Sequence, residues 1–392
     1  MTVVVQDTGG RYLAHEAIAR AIGMDDTGVV RIVGQFRLDA PVRSHRSNLR
    51  IELAPRTTLI ASSDPAIGAF DLRGDNVTIH GGEIIVDTWV NNQTVVRFAG
   101  CDGCSVVGTK IDVTATGGSS ANPMTLYHFQ DCVDPRVSFT KTHPAAGVRC
   151  FFFQNGSRGF WSNNYIGHSG DGGNGSSGPT YASRLCWEAL EILGWEFWEA
   201  ADNIMRGLGA PEAQLGIPIL VENSNDNTQE QGHWKFSGLK MEDVDAKNMM
   251  VLRGQWFCEI DNCDFGASPG PQNNNTVNVL DCALLIDAAA GGSIDSREIT
   301  VSNCKFHNIQ HSSGQIAVVT ASTAVQIVSG NTFQLTSGSW LSTPVPTQVI
   351  EVTIAGAIRY HTVVSATSST IVVASALTNA AAGTETSITA AP

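Results

Sequence analysis

Residues 76–84 read NVTIHGGEI and residues 104–111 read CSVVGTKI. In each, an apolar residue suited to burial is followed five positions later by another that closes the unit: Ile79 by Ile84, Val106 by Ile111. The spacing returns in GFWSNNYI (Trp161/Ile166), HWKFSGLKM (Phe236/Met241), CEIDNCDF (Ile260/Phe265) and ITVSNCKF (Val301/Phe306). A small or turn-forming residue stands two before the second member in most copies: Gly82, Thr109, Asn164, Cys263 and Cys304. The phrase WEAADNIM at 198–205 fits the same frame with Ala200, Asn203 and Met205. Short period-two strands broken at one Gly or Asn, recurring every ~22 to 40 residues, predict a parallel β-helix. One such coil cannot bury its apolar face alone, so stacking builds the core and lines up like residues in ladders.

A second ladder runs half a coil earlier through FDLRG, VRFAG, YHFQD, FFFQN, LEILG and ILVEN. With Leu72, Phe98, Phe129, Phe153, Ile192 and Val221 inward, the residues before them point out: Asp71, Arg97, His128, Phe152, Glu191 and Leu220. One copy fits poorly, because RVSFTKTHP puts Pro144 where the closing apolar residue belongs. The stretch WEALEILGWEFWEA, 187–200, would be apolar all round as a helix. It reads better as two strands about a turn at Gly194, with Leu190, Ile192, Trp198 and Ala200 inward.

The ends differ from the middle. YLAHEAIARAI, 12–22, is an amphipathic helix ending at Gly23, placed to cover the first coil. Residues 1–24 are therefore expected to form an arm and capping helix, and 25–342 the parallel β-helix. After a TPVPT linker (Thr343–Thr347), residues 343–392 alternate Val, Thr and Ile with little charge and read as a small antiparallel β module. The fold class expected is all-β. A net charge of −13 argues against nucleic acid and against an anionic membrane surface. Arg31, Arg37, Arg43, Arg46, Arg50 and Arg56 read as solvated strand edges. No run approaches a membrane span, and MTVVVQDTGG lacks the basic and apolar regions of a secretory signal. The nine cysteines do not form a disulfide framework, and Cys101-x-x-Cys104 finds no second pair to complete a zinc site. They read as packing thiols of a chain made in a reducing cytoplasm. No P-loop follows the Gly-rich segment, and neither a metal nor a cofactor is called for.

On these coils, and on VRIVGQFRLDAPVRSHRSNLRIELAPRTTLIAS after the helix, the chain resembles the pectate-lyase-like superfamily of right-handed parallel β-helices. Within it, the organisation resembles a bacteriophage tailspike, although a sizeable N-terminal virion-binding domain is missing. The resemblance implies a homotrimer in the virion tail, held by other tail or baseplate proteins, with the C-terminal module as the trimerisation element. It also implies a bacterial surface polysaccharide, O-antigen or capsule, as the partner that is bound and cleaved.

Six of the eight tryptophans fall in the central third. Trp161, Trp198 and Trp234 take inward positions, while Trp187, Trp195 and Trp256 lie near turns and are the candidate sugar platforms. Glycoside cleavage generally needs two carboxyls, and coils ~4.8 Å apart bring acids of neighbouring coils into range. Glu191 and Glu222 are the candidate catalytic pair, with Asp226 an alternative second acid. A raised pKa on one member would make it the general acid. Glu199 faces out beside Lys235 and Glu259, and His128 belongs to the outward ladder. His168 and Asp171 sit in the insertion GHSGDGGNGSSGPTY, where GHSG is similar to the GHG of polygalacturonases without that family's other signatures. A lyase would want a basic residue and Ca²⁺, for which Asn223, Asp226 and Asn227 are the candidate ligands. A non-catalytic glycan-binding fibre and a polysaccharide lyase remain the alternatives.

Overall fold

The computed structural model describes residues 2–6, 13–24, 28–115, 122–145, 147–167, 186–208, 217–223, 231–244, 248–267, 282–287, 296–307, 325–329, 331–335, 349–354, 357–367, 370–374 and 385–390. The chain divides into two compact units, Met1–Gln310 and His311–Pro392.

In the first unit every strand pairs in parallel with the equivalent strand one coil on, which makes it a right-handed parallel β-helix. The strands form three columns. One runs from Val42–Ser44 through Thr94–Ala99 to Cys282–Asp287, and a second from Val29–Val33 through Arg50–Leu53 and Ser105–Val107 to Arg297–Ser302. The third is a ten-stranded sheet from Gln35–Arg37 to Lys305–His307. Val148–Ser162 and Cys186–Ala201 run unbroken through the first two columns, so these merge into one sheet. WEALEILGWEFWEA is thus one long strand, bent where Gly194 and Phe197 take positive φ, rather than two.

Both ladders are present in the expected register. Arg97 pairs with Asp71 and His128, Phe152 with His128 and Glu191, and Glu191 with Leu220. The inward set of the second ladder is fully buried, and Phe98, Phe129 and Phe153 stack down the axis at centroid spacings of 5.1 and 4.7 Å; in the first ladder the last pair, Val301 and Phe306, is exposed. The poor copy is resolved by reading the unit two residues earlier. Val137 and Thr142 are the inward residues, aligned with Trp161 and Ile166, while Phe139 swings out at φ 56°. Thr140, Asn164 and Asn203 then fill the buried turn positions. Asn164 accepts from the Thr140 backbone N–H and hydroxyl and donates to Asn203 Oδ1 at 2.9 Å. Such turns otherwise bury unpaired amides, so the side-chain ladder supplies the missing partners.

Cysteines occupy equivalent turns. The sulfurs of Cys101, Cys104 and Cys132 are buried within 4.8 Å of one another. Cys101 and Cys132 each donate to the carbonyl two residues back and to one in the preceding coil, as Cys263 and Cys304 also do. The repetition at sites far apart marks them as turn-filling thiols.

The helix Ala14–Met24 buries Ile18, Ala21 and Ile22 against the first coils. The arm before it adds a strand, Val3–Gln6, parallel to Val29–Val33. The second unit is a closed antiparallel barrel of Val325–Ser329, Thr332–Leu335, Val349–Ile354, Ala357–Ala366, Thr370–Val373 and Glu385–Ala390. The expected boundary at 342/343 therefore moves to 310/311. Strands 325–329 and 332–335 pair with 385–390 and 370–373, and cutting at 343 would open the barrel.

Packing is tight where coils carry large rings. A Cβ on Gly156 would lie 2.2 Å from the Cys132 carbonyl oxygen and 2.4 Å from the Trp195 ring. Gly156→Ala is expected to destabilise the first unit by about 1–3 kcal/mol through overpacking, seen as a lower midpoint in thermal unfolding.

Candidate functional site

The outward face of the first column carries, coil by coil, Asp71, Arg97, His128, Phe152 and Glu191. Asp71 and Arg97 form a two-pronged ion pair at 3.0 and 2.9 Å. The His128 ring lies flat on Phe152, 4.6 Å between centroids, with Nε2 at 3.1 Å from Gln154 Oε1. Burial pushes its pKa down to about 4, so the imidazole is neutral at neutral pH.

Next to this ladder is a cluster of buried charge. Glu188 and Glu191 are only 5% and 8% exposed, and the Arg149 guanidinium lies between them and over the Phe152 ring at 4.4 Å. Arg149 Nε donates its single N–H to Glu188 Oε2 at 2.6 Å. Glu191 Oε2 is 2.5 Å from the same nitrogen but off the line of that N–H, and it accepts no hydrogen bond. Both oxygens touch one atom, so they are within about 5 Å of each other. Burial first, and then the charge of Glu188, push the Glu191 carboxyl up to about 9. At neutral pH this cluster therefore holds a proton that the cation of Arg149 does not displace.

The sign of the resulting pH dependence is fixed. An unfolded Glu191 ionises near 4.5 while the folded one keeps its proton to about 9. Stability is then fully present below 4.5 and drains away as pH rises toward 9, by at most about 1.4 kcal/mol per pH unit. Unfolding of Glu191→Gln across that window is expected to be flatter than wild type by this amount; equal slopes would place the titration elsewhere.

Of the residues chosen from sequence, Glu191 and His128 stand on this face. Glu222 does not pair with Glu191 across the coils: it aligns with Leu193 and is ion-paired to Arg253. It reaches Glu191 only through its charge, as the weakest influence on that pKa. The second acid beside Glu191 is Glu188. Strict alternation points Glu188 inward with Leu190 and Ile192. The alternation slips at Ala189: Ala189 and Leu190 are both fully buried and both donate their N–H to the Pro218 carbonyl at 2.9 Å, and this bulge leaves Glu188 on the outer face beside Arg149. No signal in the sequence marks that slip. Trp195 is corrected outright: it is fully buried and packs edge-on against Phe153 at 5.5 Å, which leaves no ring face for a ligand. Glu199 is exposed on the second column between Phe160 and Lys235, away from the acid cluster, and Trp256 on that column lies under the Arg297 guanidinium at 5.1 Å. Trp187 lies in the strand Cys186–Ala201, but its side chain, like His168, Asp171, Asp226 and Asn227, is outside the described residues. No helix among the described residues is long and apolar enough to cross a membrane.

No family model matches the chain, and no match was found among curated proteins. Among solved structures it is similar to the Dettilon tailspike protein, at 15% identity over 99% of this chain and 93% of that one, TM-score 0.44. An alginate lyase from Paenibacillus sp. is 10% identical over 78% of this chain and 98% of that one, TM-score 0.45. The tailspike of Pseudomonas phage phi297 is 12% identical over 93% and 67%, TM-score 0.37. The chemistry has to come from this chain's own side chains.

Proposed function

We propose that the protein is a phage tailspike that binds a bacterial surface polysaccharide and hydrolyses its glycosidic bonds at the Arg149–Glu188–Glu191 cluster. The observation that carries this reading is the pair of adjacent carboxyls, one of which keeps its proton at neutral pH because it is buried beside the other. That is the division glycoside cleavage requires, an acid for the leaving oxygen and a carboxylate for the anomeric carbon. Glu191 supplies the proton. Glu188, which accepts the Arg149 Nε–H, is the carboxylate. A substrate hydroxyl would satisfy the orphaned Glu191 Oε2.

The carboxyl spacing also predicts the stereochemistry. Inverting enzymes separate their carboxyls by ~6.5–9.5 Å to admit a water, whereas retaining ones keep them near ~5 Å. Two oxygens that touch one nitrogen leave no such gap. The first-formed sugar is expected to keep its anomeric configuration, read by proton NMR during digestion.

The wider assignment is part of the same proposal and rests on the sequence resemblance: a homotrimer in the virion tail, joined through the C-terminal barrel, with other tail proteins as partners and the host glycan as receptor. Its test is the incubation of full-length protein with purified surface polysaccharides of candidate hosts. New reducing ends and shorter chains support hydrolysis; products absorbing in the ultraviolet would mean elimination instead. A second reading, a non-catalytic glycan-binding fibre, is favoured by the burial of both acids. Binding without any shortening of the chains would select it.

A further inference from the structure

At one bend of every coil the backbone takes φ near +55°, and hydrogen bonds or strand register align these residues from coil to coil. The first four coils of this column fill the position with Asn48, Asn76, Gly103 and Asp134, the residue types that tolerate such a backbone. The next five do not: they carry Arg158, Phe197, His233, Phe257 and Glu298 at φ 53–61°. A bulky side chain there costs roughly 1–2 kcal/mol against glycine. The aromatic members are also exposed, Phe197 by 52% and Phe257 by 42%, so burial does not repay the strain. Phe197, His233 and Phe257 stack at 4.7 and 5.0 Å with planes 12° apart. Strain held at the surface in successive coils, where a better-suited residue is used four times in the same column, points to a ligand.

Beside Phe197 is a cleft of about 450 Å³, lined among others by Arg158, Phe160, Phe197, Glu199, His233 and Lys235. Gly159 and Asp134 also line it. Its charges are unevenly matched. Arg136 is tied to Asp134 at 3.4 Å and Lys235 to Glu259 at 3.5 Å, while Arg158 and Glu199 have no ion-pair partner among the described residues. The ring of Phe197 has one neighbour, His233, and among the described residues no ring or cation covers its other face, toward the coil of Arg158. A free guanidinium, a free carboxylate and an open aromatic face around a volume of two to three sugar rings are the groups that hold a pyranose. The ring takes its C–H face, and the charges take hydroxyls and one acidic substituent.

We propose that this cleft is a glycan subsite for an acidic saccharide, separate from the Arg149–Glu188–Glu191 cluster. Arg158 receives the sugar carboxylate, Phe197 stacks on the ring, and Glu199 accepts hydroxyls. The proposal rests on the glycan-binding reading above. Phe197 follows Glu191 by six residues, at most about 20 Å of extended chain, so one polysaccharide strand can reach both. The cleft holds the chain while the cluster acts on it.

The test uses the full chain and immobilised three- to five-sugar fragments of bacterial surface polysaccharides, acidic and neutral. The variants are Phe197→Asn and Arg158→Asn, which suit the backbone better than the native residues. Both are expected to keep or raise the thermal midpoint while retention on acidic fragments falls at least tenfold, and for Arg158→Asn, which removes only the charge recognition, neutral fragments show no comparable change. Wild-type retention unchanged in both variants overturns the subsite and leaves the glycan-binding reading standing. No retention of any fragment by wild type overturns both. A change in oligomer size of Phe197→Asn in light scattering would make the ring column a subunit contact and also overturn the proposal.

Discussion

If the proposed hydrolysis holds, Glu191→Gln and Glu188→Gln are each expected to lower polysaccharide cleavage by about 10²–10⁴-fold, while binding of the intact glycan persists. The magnitude is that of a lost general acid, or larger for a lost nucleophile. The two variants separate in their pH profiles. Activity that depends on protonated Glu191 declines as pH rises toward about 9, and Glu191→Gln removes that limb along with most of the rate. A small exogenous anion such as azide is expected to restore turnover to Glu188→Ala by entering the space of the missing carboxylate, and to do nothing for Glu191→Ala on a substrate with a poor leaving group. Cleavage within twofold of wild type in both variants would remove the cluster from the chemistry and leave the binding-only reading.

Arg149→Ala is expected to destabilise the first unit by about 3–5 kcal/mol, because it leaves two buried carboxyls without their cation. It also strips the guanidinium from the Phe152 face. The penalty grows with pH, since at low pH the carboxyls can stay protonated, so unfolding at pH 5 and pH 8 should diverge between variant and wild type. Arg149→Ala combined with Glu188→Gln and Glu191→Gln is expected to recover most of the stability without recovering cleavage. If the single variant unfolds like wild type at both pH values, Arg149 is not holding the cluster together.

Most of the fold was legible because a β-helix writes its contacts into sequence locally. A strand pairs with the strand one coil on, so the spacing Ile79 to Ile84, repeated at Val106, Trp161, Phe236 and Ile260, states both register and inward face. The outward ladder from Asp71 to Leu220 followed by parity alone. Parity failed where the backbone broke it. At Ala189 a bulge brought Glu188 out, whereas at 136–144 the ordinary frame holds, with Phe139 at the left-handed turn position of Gly108 and the polar Thr142 in the closing place hiding it. The barrel boundary was missed for a different reason: antiparallel closure joins 325–335 to 370–390, a pairing with no short-range period to read.

The site divides along the same line. By itself the sequence determined that Glu191 faces outward on a coil beside His128 and Phe152, because alternation on a pleated strand leaves no other choice once Ile192 is inward. It could not determine which acid stands next to Glu191 or which tryptophan is free. Glu222 is drawn off by Arg253, and Trp195 is sealed into the core by Phe153. Only the tertiary structure decided that Arg149 and Glu188 complete the cluster. The pKa of a carboxyl is set by the charges and the burial that neighbouring coils impose, and those depend on a one-residue slip that no residue type announces.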